Sequence, residues 1–192
     1  AGEYLNPALA ALRRSHPETK VWLVELSPGD QINALRRGEL DMIVLGSING
    51  AVPREFFVRR IATLPVVAAL PETHALAQGA DIALSDLRRE LFIGRTLEDI
   101  PGYNNWLIQL CRRAKFRPKI VENAHGFTHT LSLLVAEDAV TLFSGLVLKF
   151  KVPGVVFRPL RSPPVKWDLQ VAWQRGKISE PVRNLVSLLT RK

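Results

Sequence analysis

Apolar positions along the chain switch repeatedly between a helical spacing and short continuous runs. Leu9 and Leu12 stand three apart behind Asn6-Pro7, and this cap-and-first-turn pair predicts a helix that stops near His16-Pro17. The run VWLVEL at 21–26 reads as a strand. Asp30 is expected to cap a short helix over 31–37, with Ile32 and Leu35 inward and Gly38 just past its end. The apolar run 40–44 lies between Gly38 and Gly46, as a buried parallel strand would. Strand, helix and strand at these lengths predict a βαβ unit with a right-handed crossover.

Two further apolar runs, 57–61 and 65–70, precede a polar stretch over 71–84. The same alternation then returns, with strands at 91–93, 119–122 and 140–143 and helices at 103–114 and 127–136. Tyr103, Trp106, Leu107, Leu110 and Ala114 share one face of the first of these helices, which is core spacing. Strands over 155–159 and 165–173 and an amphipathic helix over 180–189 close the chain. Proline breaks at Pro65 and at Pro163-Pro164 mark two places where the chain passes between lobes. The pattern therefore predicts an α/β protein of two lobes joined by two crossover segments, the plan of a hinged binding protein.

Composition narrows the class. Of 192 residues, 47% are hydrophobic and 23% charged, a globular balance that excludes disorder. A single cysteine, Cys111, excludes an internal disulfide framework and a cysteine-rich zinc site. The longest mostly apolar stretch, 61–70, is half of what a membrane helix needs, about 20 residues, so no membrane role is expected. The net charge of +8 suggests an acidic partner, but its arginines come as scattered pairs at 13–14, 36–37, 59–60, 88–89 and 112–113. Solvated helix ends account for these better than a nucleic-acid surface, which needs a clustered stripe. The chain opens at Ala1 with no Met and no signal segment, and is expected to be a fragment of a cytoplasmic protein.

Several segments in order resemble a known family. Glu25-Leu26-Ser27, Gln31, Leu35 and Gly38-Glu39-Leu40-Asp41 are similar to a signature of LysR-type transcriptional regulators. Leu70-Pro71 with His74-Ala75-Leu76-Ala77 resembles a second segment of that family. Leu84-Ser85-Asp86-Leu87, Phe116-Arg117-Pro118, Leu134-Val135-Ala136 and Val140-Thr141-Leu142 follow in the family's order. The resemblance implies the effector-binding half of such a regulator: two Rossmann-like lobes, 1–62 with 168–192 and 63–167, and a small organic effector, a carboxylate above all, in the cleft between them. It implies a homodimer or tetramer formed through these domains. DNA is met only by a winged helix-turn-helix domain outside this chain, and most of a first strand is expected ahead of Ala1. The chain departs from the family at Glu137-Asp138-Ala139, where a glycine-rich turn is usual, and at Ser144, where a proline is usual.

In that fold, ligands lie beyond the carboxyl ends of strands and face helix N-termini. Ser27 and Pro28 form a strand-to-helix turn whose hydroxyl and amides can meet an anion, and Gly46 lines by its backbone. Arg95 offers a planar fork for a carboxylate, or for a structural pair with Glu98 or Asp99. Thr96, Pro101 and Tyr103 follow on the same loop, and the last two match effector-contacting positions in the family's aromatic-catabolism branch. Phe127 and Thr128 open a helix whose free amides make an anion site. Phe143 ends the next strand. His125 and His129, four apart, lack a third ligand at motif spacing, so neither a metal nor another cofactor is expected.

Enzyme motifs are missing: no G-x-S-x-G, H-E-x-x-H, P-loop or dinucleotide fingerprint occurs. Cys111 reads as a small buried hydrophobe. The leading reading is an effector-sensing domain without catalysis. Its rival is the solute-binding protein of a transporter, which shares the two-lobed plan. A hydrolase or transferase would need an activated nucleophile that the sequence does not offer.

Overall fold

In the computed structural model, which describes residues 2–47, 52–162, 164–176 and 178–191, the elements follow in this order. Helix α1 (Gly2–Ser15) and helix α2 (Pro28–Arg36) precede strands β1 (Met42–Ser47), β2 (Phe56–Pro71) and β3 (Ile82–Ala83). Then come β4 (Leu91–Arg95), α3 (Tyr103–Arg113), β5 (Lys119–Ala124), α4 (Phe127–Ala136) and β6 (Thr141–Ser144). The long strands β7 (Val155–Ser162) and β8 (Lys166–Gln174) lead to α5 (Glu180–Thr190). The chain divides into two units, Ala1–Thr63 with Asp168–Lys192 and Leu64–Trp167, and passes between them within β2 and within β8. Of the proline pair at 163–164, Pro163 lies outside the described residues.

In the first unit β1 runs antiparallel to β8, from Met42 opposite Trp173 to Ser47 opposite Asp168. The two-residue period of a strand then sorts side chains between two faces. Met42, Val44, Val171 and Trp173 pack with Ala8 and Leu12 of α1 and Leu185, Val186 and Leu189 of α5. Ile43, Leu45 and Ala172 pack instead with Ile32 and Leu35 of α2, beside Val52 and Phe56. Helices thus cover both faces of the strand pair, each buried Leu or Val stabilising by about 1.5–3 kcal/mol.

The second unit has two sets of strands. β4 and β5 are parallel, from Leu91 opposite Lys119 onward, and Phe92 also bridges in parallel to Val140 just before β6. The inner part of β2 is antiparallel to both β6 and β7, and β7 is parallel to β3. α3 buries Tyr103, Trp106, Leu107, Leu110 and Cys111, the face its spacing predicts, while Leu131 and Leu134 of α4 join Ile93, Ala124 and Phe143 in one core.

Several expected elements differ. The run 21–26 forms no strand; Val21, Leu23 and Val24 are exposed and Trp22 is 85% exposed. A strand is held by a hydrogen-bonded neighbour, and no described strand pairs with this run. The expected βαβ unit is therefore not formed, and β1 is antiparallel, not parallel, to its partner. α1 begins at Gly2, ahead of Asn6-Pro7, so Pro7 sits inside it. There its ring costs one N–H near the helix start, where the ladder is weakest. The cap of α2 is Ser27, not Asp30: Ser27 Oγ accepts from the Asp30 amide at 3.1 Å and donates to Asp30 Oδ2 at 2.7 Å, and Pro28 fills the first helical position. The runs 57–61 and 65–70 join in one strand through Pro65, because the amide that pairs there is that of Val66, donating to Val165 O at 3.0 Å. Gly145 admits the Pro65 ring, whose Cγ would lie 2.8 Å from a Cβ at that position.

Arginine pairs fall at helix ends as expected, with Arg13 and Arg14 in the last turn of α1 and Arg112 and Arg113 in that of α3. No helix among the described residues is long and apolar enough to cross a membrane. Where the family usually carries glycine, Asp138 takes φ +46° after the α4 cap residue Glu137, and Ala139 N closes the end on Leu134 O at 2.9 Å. A left-handed turn is cheaper for glycine than for aspartate. Asp138→Gly is expected to stabilise the chain by about 0.5–1 kcal/mol, read as a rise of roughly 1–4 °C in Tm; a fall would show that the carboxylate, not the backbone, decides this turn.

Candidate functional site

β4, β5 and the start of β6 point the same way, so their carboxyl ends and the turns after them come together within the second unit. Two of these turns lead straight into helices. Gly102, with φ +81°, precedes α3, and Gly126, with φ +73°, precedes α4; neither helix has a side-chain cap at that residue. First-turn amides of such helices lack an intrahelical acceptor and carry the positive end of the helix dipole.

Arg95 ends β4, but its fork is turned into the protein. It is 6% exposed and its Nε lies 2.8 Å from Oδ2 of Asp99, itself buried, without the alignment of a regular hydrogen bond. Nη1 donates to Thr130 Oγ1, and the guanidinium lies 5.5 Å from the centre of the Phe143 ring. Thr130 Oγ1 in turn donates to Gly126 O at 2.6 Å, so Arg95 reaches the peptide that starts α4. The backbone of Arg95 is held as tightly: Asn104 Oδ1 accepts from its amide and Asn104 Nδ2 donates to its carbonyl, both at 2.9 Å. Gly94 makes room for that clamp, since a Cβ there would meet Asn104 Oδ1 and Ile120 at 2.6 Å.

Tyr103 is buried and its hydroxyl is fully used. It donates to Leu142 O at 2.9 Å, accepts from Leu142 N at 3.1 Å and lies 3.0 Å from Thr141 Oγ1, which donates to Ile93 O. Its ring packs against Trp106 and Trp167. Tyr103 therefore ties α3 to β6 and offers no free hydroxyl. Thr96 turns the loop onward, its carbonyl and Oγ1 accepting from Asp99 N at 3.2 and 3.3 Å, with His125 Nδ1 at 3.5 Å from the same hydroxyl.

Arg95, Thr96, Tyr103, Phe127, Thr128 and Phe143 thus gather around these strand ends, with Pro101 in the turn before α3. Thr128 is exposed in the first turn of α4. Phe127, 37% exposed, meets Phe143 edge-on at 5.4 Å and Phe150 at 5.9 Å, which makes an apolar wall beside the amides. Ser27, Pro28 and Gly46 belong to the first unit: the first two form the α2 cap, and Gly46 lies within β1 opposite Leu169. Of the two acids that the sequence offers Arg95 as a structural partner, Glu98 and Asp99, it is Asp99 that lies against it; Asn104, Thr130 and Thr141 are not singled out by any sequence pattern. His129 Nδ1 accepts from the His125 amide at 3.2 Å, and no cluster of three metal-ligating side chains occurs among the described residues.

The family model described as the LysR substrate binding domain matches residues 1–192. Among curated relatives, the transcriptional regulator XapR of Escherichia coli (strain K12) is 25% identical over 189 residues, covering 97% of this chain and 62% of that protein. The chain thus spans about three fifths of the length of such relatives. Of solved structures, the effector binding domain of BenM with its effector benzoate aligns with a TM-score of 0.75 at 19% identity, covering 96% of this chain and 83% of that one. The effector binding domain of QuiR in complex with shikimate gives 0.79 at 15%, covering 97% and 88%. Both likenesses are of fold.

Two outcomes follow from the geometry. Asp99→Ala leaves a buried guanidinium without its carboxylate and is expected to cost about 3–5 kcal/mol in urea unfolding, whereas Arg95→Met with Asp99→Leu recovers most of that loss; a neutral Asp99→Ala would mean that the pair carries no weight. Burial pushes the Cys111 thiol up from 9.0 to about 12 and raises the Tyr103 hydroxyl above its ordinary 10.0, desolvation outweighing the bonds to Thr141 and Leu142. The folded chain keeps protons that the unfolded chain releases, so stability is full below about pH 9 and is lost as the pH climbs toward 12. Tm measured across this window should fall, and Cys111→Ala should flatten the fall.

Proposed function

This chain belongs to the family of LysR substrate-binding domains, and on that premise we propose that it senses a small organic anion whose carboxylate is met at the N-terminus of α4. The family is one of transcriptional regulators and not of enzymes, which also favours this reading over a transporter's solute-binding protein. The observation that carries the proposal is the uncapped start of α4 behind Gly126, with exposed Thr128 as a further donor and Phe127 and Phe143 as an apolar wall. Amides at a helix start and a threonine hydroxyl suit a carboxylate, and the aromatic edges suit a ring or a short hydrocarbon body. Arg95 acts from behind: held by Asp99 and Thr130, it fixes the turn without touching the ligand. Thr96 and Pro101 line the neighbouring turn. In the first unit, the Ser27–Pro28 turn and Gly46 are proposed as further lining.

The ligand class has outside support, because benzoate in BenM and shikimate in QuiR are both carboxylates. For the whole protein we propose a cytoplasmic regulator, dimeric or tetrameric through these domains, in which effector binding biases DNA-bound oligomers through a segment outside this chain.

Calorimetric titration with benzoate, shikimate and methyl benzoate tests the site. The acids are expected to bind and the neutral ester to bind at least tenfold more weakly, while Thr128→Val weakens the acids by about tenfold, in line with one lost hydrogen bond to a charged group. Equal affinity for acid and ester, or a Thr128→Val protein that binds as well as the parent, would sink the proposal.

A further inference from the structure

A cavity lies wholly within the first unit. It has a volume of about 600 Å³, inside the range of small-molecule sites, and is lined by residues 52–54 and 56–58 with Gln170 and Arg175. Its walls are apolar: Val52 and Phe56 are buried, and Phe57 and Val58 show large parts of their side chains to the outside. Two features are not explained by packing. Gln170 Oε1 is buried and has no hydrogen-bond partner among the described residues, a costly state for a carbonyl oxygen. Two guanidiniums, those of Arg54 and Arg175, stand on the lining of this otherwise apolar cavity.

Arg175 is held ready. Its Cζ lies 5.2 Å from the centre of the Phe57 ring, and Nη2 donates to Arg54 O at 2.8 Å. Phe57 in turn rests on Trp173 at 5.8 Å. Stacking and one hydrogen bond fix the plane of the fork while leaving other N–H groups to give. The acid nearest in sequence, Glu55, is already bound to Arg36 at 2.7 Å, so it does not neutralise the cavity. Gln170 and Arg175 are five residues apart at the end of β8, at most about 17 Å of extended chain.

We propose that this cavity is a second ligand site, separate from the α4 site, which takes a small aromatic carboxylic acid bearing a hydroxyl or amino donor. The carboxylate meets the Arg175 fork, with Arg54 beside it. The ring lies against Phe56, Phe57 and Val58, and the donor on the far side satisfies Gln170 Oε1. Each end of the ligand answers a group that the protein leaves partly or wholly unmatched, so an acid without the donor, or a phenol without the acid, is a poorer fit. The proposal does not rest on the α4 reading, and either can fail without the other.

The probe is 4-hydroxybenzoate, followed by 1H–15N correlation spectra of the chain, with benzoate and phenol as partial ligands. Binding is expected to move the amides of 52–58 and the Gln170 side-chain NH2, with benzoate and phenol each about tenfold weaker at these signals. Gln170→Leu and Arg175→Gln should each weaken 4-hydroxybenzoate at least fivefold at these signals. Spectra that stay dispersed show that the variants are folded. Thr128→Val should leave affinity at this cavity unchanged while it weakens the α4 site. Shifts confined to residues 95–143, or equal affinity of the parent and both first-unit variants, would overturn the proposal.

Discussion

A guanidinium cannot shed its charge inside a protein, so burying Arg95 obliges its surroundings to answer it. Asp99 must fold back over four residues, which fixes the turn 96–99. Thr130 must present its hydroxyl, which fixes the first turn of α4 relative to the end of β4. Asn104 then grips the peptide of the same residue from the start of α3, and only glycine at position 94 leaves room for it. Two helix starts and one strand end are thereby locked to a single residue, one through its side chain and the other through its peptide groups. The first-turn amides beyond them are held in place by the same frame, and on the proposed reading that is where a binding site gains most from rigidity.

This arrangement explains a division of labour. A cation spent on the frame is not available to a ligand, so on the proposed reading an anion is left to backbone amides and to hydroxyls such as that of Thr128. Tyr103 follows the same logic. Its ring and hydroxyl tie α3 to β6, and its raised pKa reflects burial among partners. On the proposed reading, discrimination is left to Phe127 and Thr128, which stand on the exposed start of α4.

Much of this was legible in the sequence where one segment carried its own signal. The period of Tyr103, Trp106, Leu107 and Leu110 showed the buried face of α3, and the segment order showed the family. Strands β4 to β7 were found to within a few residues at their ends, whereas the short β3 falls in the stretch over 71–84 that reads only as polar. What could not be read depended on partners distant in the chain. The run 21–26 has every local mark of a strand and lacks only a neighbour, which no local pattern can reveal. Pro65 looked like a break because its tolerance depends on the pairing of Val66 with Val165 and on the space above Gly145. Arg95 is readable from the sequence as ligand or as ion pair; that it would lie 6% exposed against Asp99 has no local mark. The clamp of Asn104 across nine residues and that of Thr130 across 35 left no trace at motif spacing.

The exposed run at 21–26 also divides the optical properties of the protein. Of its four tryptophans, Trp22 is 85% exposed, while Trp106, Trp167 and Trp173 are 8%, 5% and 9% exposed. Three indoles therefore emit from apolar surroundings, two of them in the ring cluster around Tyr103 and one beside Phe57. The fourth emits from water and is the one that a dissolved quencher meets first. A single chain thus carries a solvent-facing lamp on its unpaired segment and interior lamps in both of its units, separable by colour and by quenching without any label.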